Sequence, residues 1–299
     1  MNESKTIQSV ALIGAGSMGA RMAKRLLAGG VNTIVCDTRQ ETRETFAKLG
    51  AQTTASASDC AQADLIVVMV PSDEALRAVT IGDNGVSSRN DGVKPKIICV
   101  MSTTMPGTAR ELAQQCQARG IALVDAPVSG GPARAEDGTL SIFFGGSDEA
   151  FEQLQPILGL MGKNIYHCGD VGSACAVKII NNLICITNIY ITGEAFEIAT
   201  DLGVDLNRLA PILDVSTGRN FISADLGQSI KQFKEWGGSD ESFAAIGNIL
   251  KKDLGFALEL IQPDHINSSL AKRVLEYAKS DDPHLFNRWR QIADTPTAQ

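Results

Sequence analysis

The residues best suited to proton chemistry are a lysine and two amides on one stretch of chain, Lys178, Asn181 and Asn182. Lys178 and Asn182 are four positions apart, so on a helix they face the same way. The surrounding residues are rich in Ile, Leu, Val and Ala, which makes Lys178 a candidate for a partly desolvated general acid or base. The alternative is a solvated lysine on the outer face of an amphipathic helix, and spacing alone leaves both open.

A glycine-rich stretch near the start of the chain suits the binding of phosphate. It reads Gly14-Ala15-Gly16-Ser17-Met18-Gly19 and lies between a predicted strand and a predicted helix. Side chains at the glycines would block the tight turn and keep the backbone from a pyrophosphate, whose charge sits at the helix N-terminus. In this context the pattern predicts a dinucleotide site rather than a purely structural turn.

Asp37 ends the second predicted strand, 18 positions beyond Gly19. A carboxylate there can accept hydrogen bonds from the adenosine ribose hydroxyls and would repel a 2′-phosphate. The alternative is an aspartate that caps the next turn. Arg39 could contact a 2′-phosphate and soften the preference, so we expect NAD, with NADP as the less favoured cofactor.

Strand and helix patterns alternate through the first half of the chain. The apolar strands are predicted at 7–13, 32–36, 65–70, 96–101 and 122–125, and the helices at 41–49, from about 73, and at 108–119. This alternation predicts βαβ units and an α/β fold of the Rossmann type, with a mostly parallel, doubly wound sheet.

The pattern changes after Gly169. One helical stretch runs from 171 to about 202 without a strand signal, and further helical stretches fill the rest of the chain. We therefore expect a dinucleotide-binding Rossmann domain over 1–169. An all-α domain would follow over 170–299.

Composition excludes several classes of function for this 299-residue chain. Lys and Arg total 27 against 34 Asp and Glu, and the net charge of -7 would repel a nucleic acid backbone. The longest unbroken apolar stretches are far shorter than the roughly 20 residues that cross a membrane, and the polar first residues lack a signal peptide pattern. Seven scattered cysteines without a CxxC pair predict reduced thiols and a cytoplasmic location. The three histidines lie far apart, so we expect no metal site.

Four stretches in order along the chain resemble the β-hydroxyacid dehydrogenase family, whose members include 3-hydroxyisobutyrate dehydrogenase and tartronate semialdehyde reductase. They are the glycine-rich stretch from Gly14 to Gly19, then Asp125-Ala126-Pro127-Val128-Ser129-Gly130-Gly131, then Gly169-x-x-Gly172 leading to Lys178-x-x-Asn181-Asn182, and finally Lys252-Asp253-Leu254. Together they span most of the chain and are more specific than any one motif.

The resemblance implies hydride transfer between a short β-hydroxy acid and NAD, with Lys178 as the general acid/base. It implies that Ser129 and the main-chain amides of Gly130 and Gly131 hold the substrate carboxylate, while Asn182 orients the hydroxyl or carbonyl group. The cofactor contacts that it implies are Gly14, Ala15, Gly16, Ser17, Met18, Gly19, Asp37, Val70, Pro71, Thr103 and Lys252. It also implies a homodimer or homotetramer built through the helical domain.

Some positions depart from the family pattern. Val100, Arg25 and Ala174 stand where Asp, Asn and Gly are expected. None of these removes a residue with a direct chemical role, but they leave the substrate open. Arg219 is a candidate cation for a second anionic group on the substrate, with a solvated loop residue as the alternative.

Other functions on the same scaffold stay open as alternatives. They are the reduction of a semialdehyde or an imine, an oxidative decarboxylation, and a non-catalytic NAD(P) sensor. The lysine at 178 counts against the imine reductases and the sensor, because such proteins usually lack it. The decarboxylases typically have a much longer helical domain than this chain offers.

Overall fold

The computed structural model describes residues 7–89, 91–261, 269–280 and 283–296. The chain forms two compact units, which divide after Lys178, inside one long helix. The first unit contains a sheet covered by helices, and the second is helical throughout its described residues.

The sheet of the first unit has a parallel half in the strand order β3-β2-β1-β4-β5-β6. This is the order of doubly wound dinucleotide-binding domains, so the α/β prediction is confirmed. The strands are β1 Ser9–Ile13, β2 Asn32–Cys36, β3 Gln52–Thr54, β4 Leu65–Val68, β5 Ile97–Val100, β6 Ala122–Asp125, β7 Val128–Ser129, β8 Leu140–Gly145 and β9 Gly162–Gly169.

Helices cover both faces of this sheet because successive strand residues point to opposite sides. In β1, Val10 and Leu12 pack in one apolar cluster with Met22 of α1, whereas Ala11 and Ile13 belong to the cluster on the other face. The helices are α1 Ser17–Ala28, α2 Gln40–Lys48, α3 Asp73–Ile81, α4 Pro106–Gln117, α5 Gly131–Asp137 and α6 Asp148–Leu158.

The sheet continues beyond the predicted strands. β8 pairs antiparallel with β6 and β7 and parallel with β9. β7 has two residues, and β3 and β9 are largely polar or exposed, so none of the three carries the apolar run that marks a buried strand.

The second unit packs its helices around aromatic side chains. Trp289 lies with ring centroids 5.3 to 5.8 Å from those of Phe233, Trp236 and Phe243. The helical C-terminal region is thus confirmed. Its helices are α7 Ser173–Asp201, which begins in the first unit, α8 Leu206–Asp214, α9 Phe221–Ala224, α10 Leu226–Gly237, α11 Asp240–Leu260, α12 Ser269–Lys279 and α13 Pro283–Ala293.

Among the described residues, α7 is the one helix that is both long enough and apolar enough to cross a membrane. Of its most apolar stretch of 18 residues, 44% is buried within the protein. A core helix of a soluble protein has the same length and composition. The sequence predicts this helix but not its length in apolar residues, because Lys178, Asn181 and Asn182 interrupt the unbroken apolar run.

Candidate active site

The candidate residues of the first unit share one edge of the sheet. The loops after β1, β2, β4 and β5 carry the glycine-rich stretch, Asp37, Val70 and Thr103 respectively, and Ser129 ends β7, which follows β6. Because these strands are parallel, their carboxyl ends lie at the same edge, on both sides of the β1–β4 junction where the strand order reverses. Open α/β sheets bind their ligands at this place.

The three positions of the first loop need glycine for different physical reasons. A Cβ at Gly14, where φ is +92°, would stand 2.2 Å from the main-chain oxygen of Met69, and one at Gly19 would stand 2.0 Å from that of Gly14. A Cβ at Gly16 would meet nothing within 4 Å, and its φ of -71° suits any residue. The protein's own packing therefore explains Gly14 and Gly19, whereas a group bound against the loop would explain Gly16.

The same loop leads into the N-terminus of α1. Gly16 is the N-cap and offers no side chain to the first N–H groups of the helix, which begins with Ser17 and Met18. The first turn contains no acidic residue. These N–H groups and the positive end of the helix dipole suit a pyrophosphate, so the loop fits a bound dinucleotide.

The carboxylate of Asp37 is buried and closely held. It accepts hydrogen bonds from the main-chain N–H of Ala15 at 2.9 Å and from the main-chain N–H of Arg39 at 2.9 Å. The Arg39 guanidinium contacts both carboxylate oxygens, at 3.0 and 3.1 Å. Burial alone would raise the pKa of Asp37, but the bonds from Arg39 and Ala15 outweigh it and lower the pKa. Asp37 thus ties the end of β2 to the glycine-rich loop.

Side chains that sequence reasoning did not single out connect the loops after β4 and β5. The Ser102 hydroxyl accepts the main-chain N–H of Val70 at 2.8 Å. The Asp73 carboxylate accepts the hydroxyls of Thr104 at 2.5 Å and Thr108 at 2.7 Å. These bonds hold the segments that contain Val70, Pro71 and Thr103. The run Ser102-Thr103-Thr104 after a buried strand was the available sequence signal.

The candidate carboxylate anchor begins at the end of β7. Ser129 pairs with Ser141 of β8, and Gly130 and Gly131 follow with φ of +126° and +70°. Both glycines occupy conformations that other residues rarely adopt, and Gly130 is the N-cap of α5. Successive main-chain N–H groups at this bend can converge on a carboxylate.

Lys178 and Asn182 lie on α7, and each is 9% exposed. Lys178 is therefore not the solvated surface lysine of the alternative interpretation. The Asn182 amide donates to Asp253 of α11 at 2.6 Å, and the ammonium of Lys252 donates to the same carboxylate at 2.7 Å. Asp253, which sequence reasoning quoted only as part of a motif, thus connects a predicted substrate residue with a predicted cofactor residue.

Arg219 lies in the loop between α8 and α9. Its side chain is 66% exposed, and its Nε donates to the Asp214 carboxylate at 2.9 Å. An acidic partner already neutralises part of its charge, so the geometry gives no separate support for the predicted contact with a second anionic group.

Comparison with known proteins gives consistent matches over both units. Residues 9–169 match the family described as the NAD binding domain of 6-phosphogluconate dehydrogenase, and residues 172–284 match that described as the NAD-binding domain of NADP-dependent 3-hydroxyisobutyrate dehydrogenase. A 3-hydroxyisobutyrate dehydrogenase of Pseudomonas aeruginosa is 32% identical over 288 residues, which cover 92% of this chain and 94% of that protein.

Two further proteins extend the comparison. An NAD-dependent L-serine dehydrogenase of the same organism is 32% identical over 266 residues, which cover 86% of each chain. A crystal structure of 3-hydroxyisobutyrate dehydrogenase from Salmonella typhimurium has a TM-score of 0.74 at 27% identity and covers 91% of this chain and 93% of that one.

Proposed function

Because the chain belongs to the β-hydroxyacid dehydrogenase family, whose members use NAD(P) to oxidise small hydroxy acids, we propose a specific reaction for it. It oxidises a short β-hydroxy acid of the 3-hydroxyisobutyrate or L-serine kind, with NAD as the preferred cofactor and Lys178 as the general acid/base. The observation that carries the dinucleotide part is the geometry at Gly16, where a Cβ would meet nothing within 4 Å and the N-terminus of α1 has room for a bound group.

The bound cofactor supplies the acceptor for the hydride that leaves the carbinol carbon. Lys178, in its neutral form, accepts the hydroxyl proton as the carbonyl forms, and in the reverse reaction its ammonium returns that proton.

Substrate orientation follows from two anchors. The N–H groups at Gly130 and Gly131, with the Ser129 hydroxyl, hold the carboxylate of the acid. The Asn182 amide holds the reacting oxygen, and Asp253 fixes the rotamer of that amide through a 2.6 Å bond. Holding the carboxylate of the acid restricts how its hydroxyl approaches the base, and such orientation can supply a large part of the rate enhancement.

The preference for NAD rests on Asp37. A buried carboxylate at the end of β2 accepts ribose hydroxyls and repels a 2′-phosphate. Arg39 lies against it and neutralises part of its charge, so NADP is a poorer cofactor rather than a forbidden one.

A second copy of the chain covers one face of α7 in this proposal. Val177, Ile184, Ile191 and Ile198 recur every seventh residue and are 37 to 59% exposed. Their spacing is symmetric about the point between Thr187 and Asn188, so an antiparallel copy places Ile184 opposite Ile191 and Val177 opposite Ile198. A two-fold interface needs such a self-complementary surface.

We also propose a cytoplasmic location, for which the scattered cysteines are the support.

A panel of short acids tests the reaction. Purified protein is given 3-hydroxyisobutyrate, L-serine or glycerate with NAD or NADP, and NADH or NADPH formation is followed. We expect one of these acids to turn over, faster with NAD. Tight NADH binding without oxidation of any short hydroxy acid would contradict the proposed reaction while leaving the dinucleotide site intact.

A further inference from the structure

The start of α7 is held by a carboxylate that is distant in the sequence. Asp125, the last residue of β6, accepts the main-chain N–H of Gly172 at 2.7 Å with one oxygen and that of Cys175 at 2.8 Å with the other. The first N–H groups of a helix have no partner within it, so Asp125 caps α7 from the sheet. Its side chain is fully buried.

This cap connects the proposed base with the segment that holds the substrate carboxylate in the proposed reaction. Lys178 follows Cys175 by three residues, which is less than one helical turn and about 4.5 Å along the axis. Ser129 follows Asp125 by four residues on the other side of the link. A shift at Asp125 therefore moves the base relative to the carboxylate anchor.

The surroundings of Asp125 leave its carboxylate little freedom. A Cβ at Gly145, its partner in the β6–β8 pairing, would stand 2.4 Å from one carboxylate oxygen. Burial raises the pKa of this carboxyl, while the two main-chain donors oppose the rise. A buried carboxylate is tolerated when its oxygens are hydrogen-bonded, and the positive end of a helix dipole adds to that stabilisation.

We propose that Asp125 is a positioning residue that fixes Lys178 against the substrate anchor, an inference that rests on the proposed function of Lys178. Asp125 does not touch the substrate in this account. It acts through the backbone of α7, so its loss lowers kcat while cofactor affinity is kept.

The variant Asp125→Asn tests this proposal, because its amide presents N–H groups to one of the two helix donors. Misplacement by about 1 Å can cost roughly 100-fold in rate. We expect kcat for the hydroxy acid to fall by roughly 10- to 100-fold, with the Kd for NADH within about twofold of the wild type.

Asp64→Asn is the matched control. Asp64 also accepts two main-chain N–H groups, those of Gln8 and Ser9, but it precedes β4 at the opposite edge of the sheet. A merely structural carboxylate would lower stability in both variants and leave kcat unchanged in both. Loss of kcat in Asp125→Asn alone supports positioning, whereas equal kcat in the two variants overturns it.

A second variant keeps the test usable if Asp125→Asn does not fold. Gly145→Ala keeps an aspartate at position 125. It adds a Cβ that would stand 2.4 Å from one carboxylate oxygen of Asp125, so the carboxylate must shift. It should lower kcat with the same retention of NADH affinity. A Gly145→Ala protein with wild-type kcat overturns the proposal.

Amide hydrogen exchange over residues 172–178 supplies a readout that needs no turnover. We expect faster exchange there in Asp125→Asn and unchanged exchange in Asp64→Asn. Unchanged exchange in Asp125→Asn would overturn the proposal that Asp125 anchors the start of α7. If the wild-type protein oxidises no hydroxy acid, the proposed function is contradicted instead. The positioning role of Asp125 is then contradicted as well, even if the exchange rates show that Asp125 anchors the start of α7.

Discussion

The carboxylate of Asp37 is approached by three donors, the N–H of Ala15, the N–H of Arg39 and the Arg39 guanidinium. Their combined effect lowers the pKa of Asp37 against the opposing effect of burial. The stabilisation from these bonds is therefore present above the unfolded-state pKa of about 4 and is lost as the pH falls through the lower folded-state pKa. At neutral pH the carboxylate of Asp37 is therefore charged, as the proposed preference for NAD requires.

Two single substitutions at this pair should change cofactor choice in opposite directions. Asp37→Ser removes the charge that repels a 2′-phosphate and leaves Arg39 to attract it, so the ratio of kcat/KM for NADP to that for NAD should rise by about tenfold or more, a change of roughly 1.4 kcal/mol. Arg39→Ala leaves Asp37 uncompensated, so the ratio should fall. Steady-state kinetics with both cofactors measures each ratio. A shift of both variants in the same direction would refute the assignment of roles.

The first loop and α1 act as one element, in which packing and ligand binding make separate demands on the glycines. Gly14→Ala introduces a close contact at a φ of +92° and should lower the free energy of unfolding by at least about 1–3 kcal/mol. Gly16→Ala meets open space and should cost less than about 1 kcal/mol while weakening NADH binding. Urea unfolding and NADH fluorescence measure the two effects. A Gly16→Ala protein that binds NADH as the wild type does would argue against a cofactor at this loop.

Helices α7 and α11 are joined through the buried carboxylate of Asp253. Asp253→Ala leaves the Asn182 amide without its acceptor, and an unsatisfied buried donor costs about 1–3 kcal/mol. The free energy of unfolding, measured with urea, should fall by that amount. In the control Asp240→Ala the carboxylate removed is 89% exposed, and the change should stay below about 0.5 kcal/mol. Equal effects of the two substitutions would show that the Asn182–Asp253 bond adds nothing to stability.

The elements differ in how far the sequence determines them. Strands β1, β2, β4, β5 and β6 were predictable because each contains a short apolar run within the alternating pattern of strands and helices, as at β4 and β5. β7 and β9 were not, since a two-residue strand and an exposed edge strand leave no periodic signal. The glycine-rich loop and Asp37 were predictable because the chemistry of a dinucleotide fixes their spacing. The bond between Gly172 and Asp125 joins residues 47 positions apart, and that between Asn182 and Asp253 joins residues 71 positions apart, and only tertiary packing brings such partners together.

At the scale of the whole molecule, the exposed stripe of α7 predicts self-association. A double variant Ile184→Glu, Ile191→Glu places charges on that face and should convert a dimer into a monomer in light scattering coupled to size-exclusion chromatography. The control Ile212→Glu lies on α8 and is equally exposed, at 59% in the native protein, and should leave the mass unchanged. A monomeric wild type, or a double variant that stays dimeric, would contradict the α7 interface.

Lys178 moves the proton in the proposed oxidation of a short β-hydroxy acid. The most direct test of this role is the turnover of Lys178→Met beside the wild type, with the NADH dissociation constant measured on the same preparations. We expect a loss of roughly 100- to 10,000-fold in kcat, NADH affinity within about twofold, and full activity in the control Lys24→Met, whose side chain is 49% exposed. Turnover by Lys178→Met at close to the wild-type rate would contradict this role.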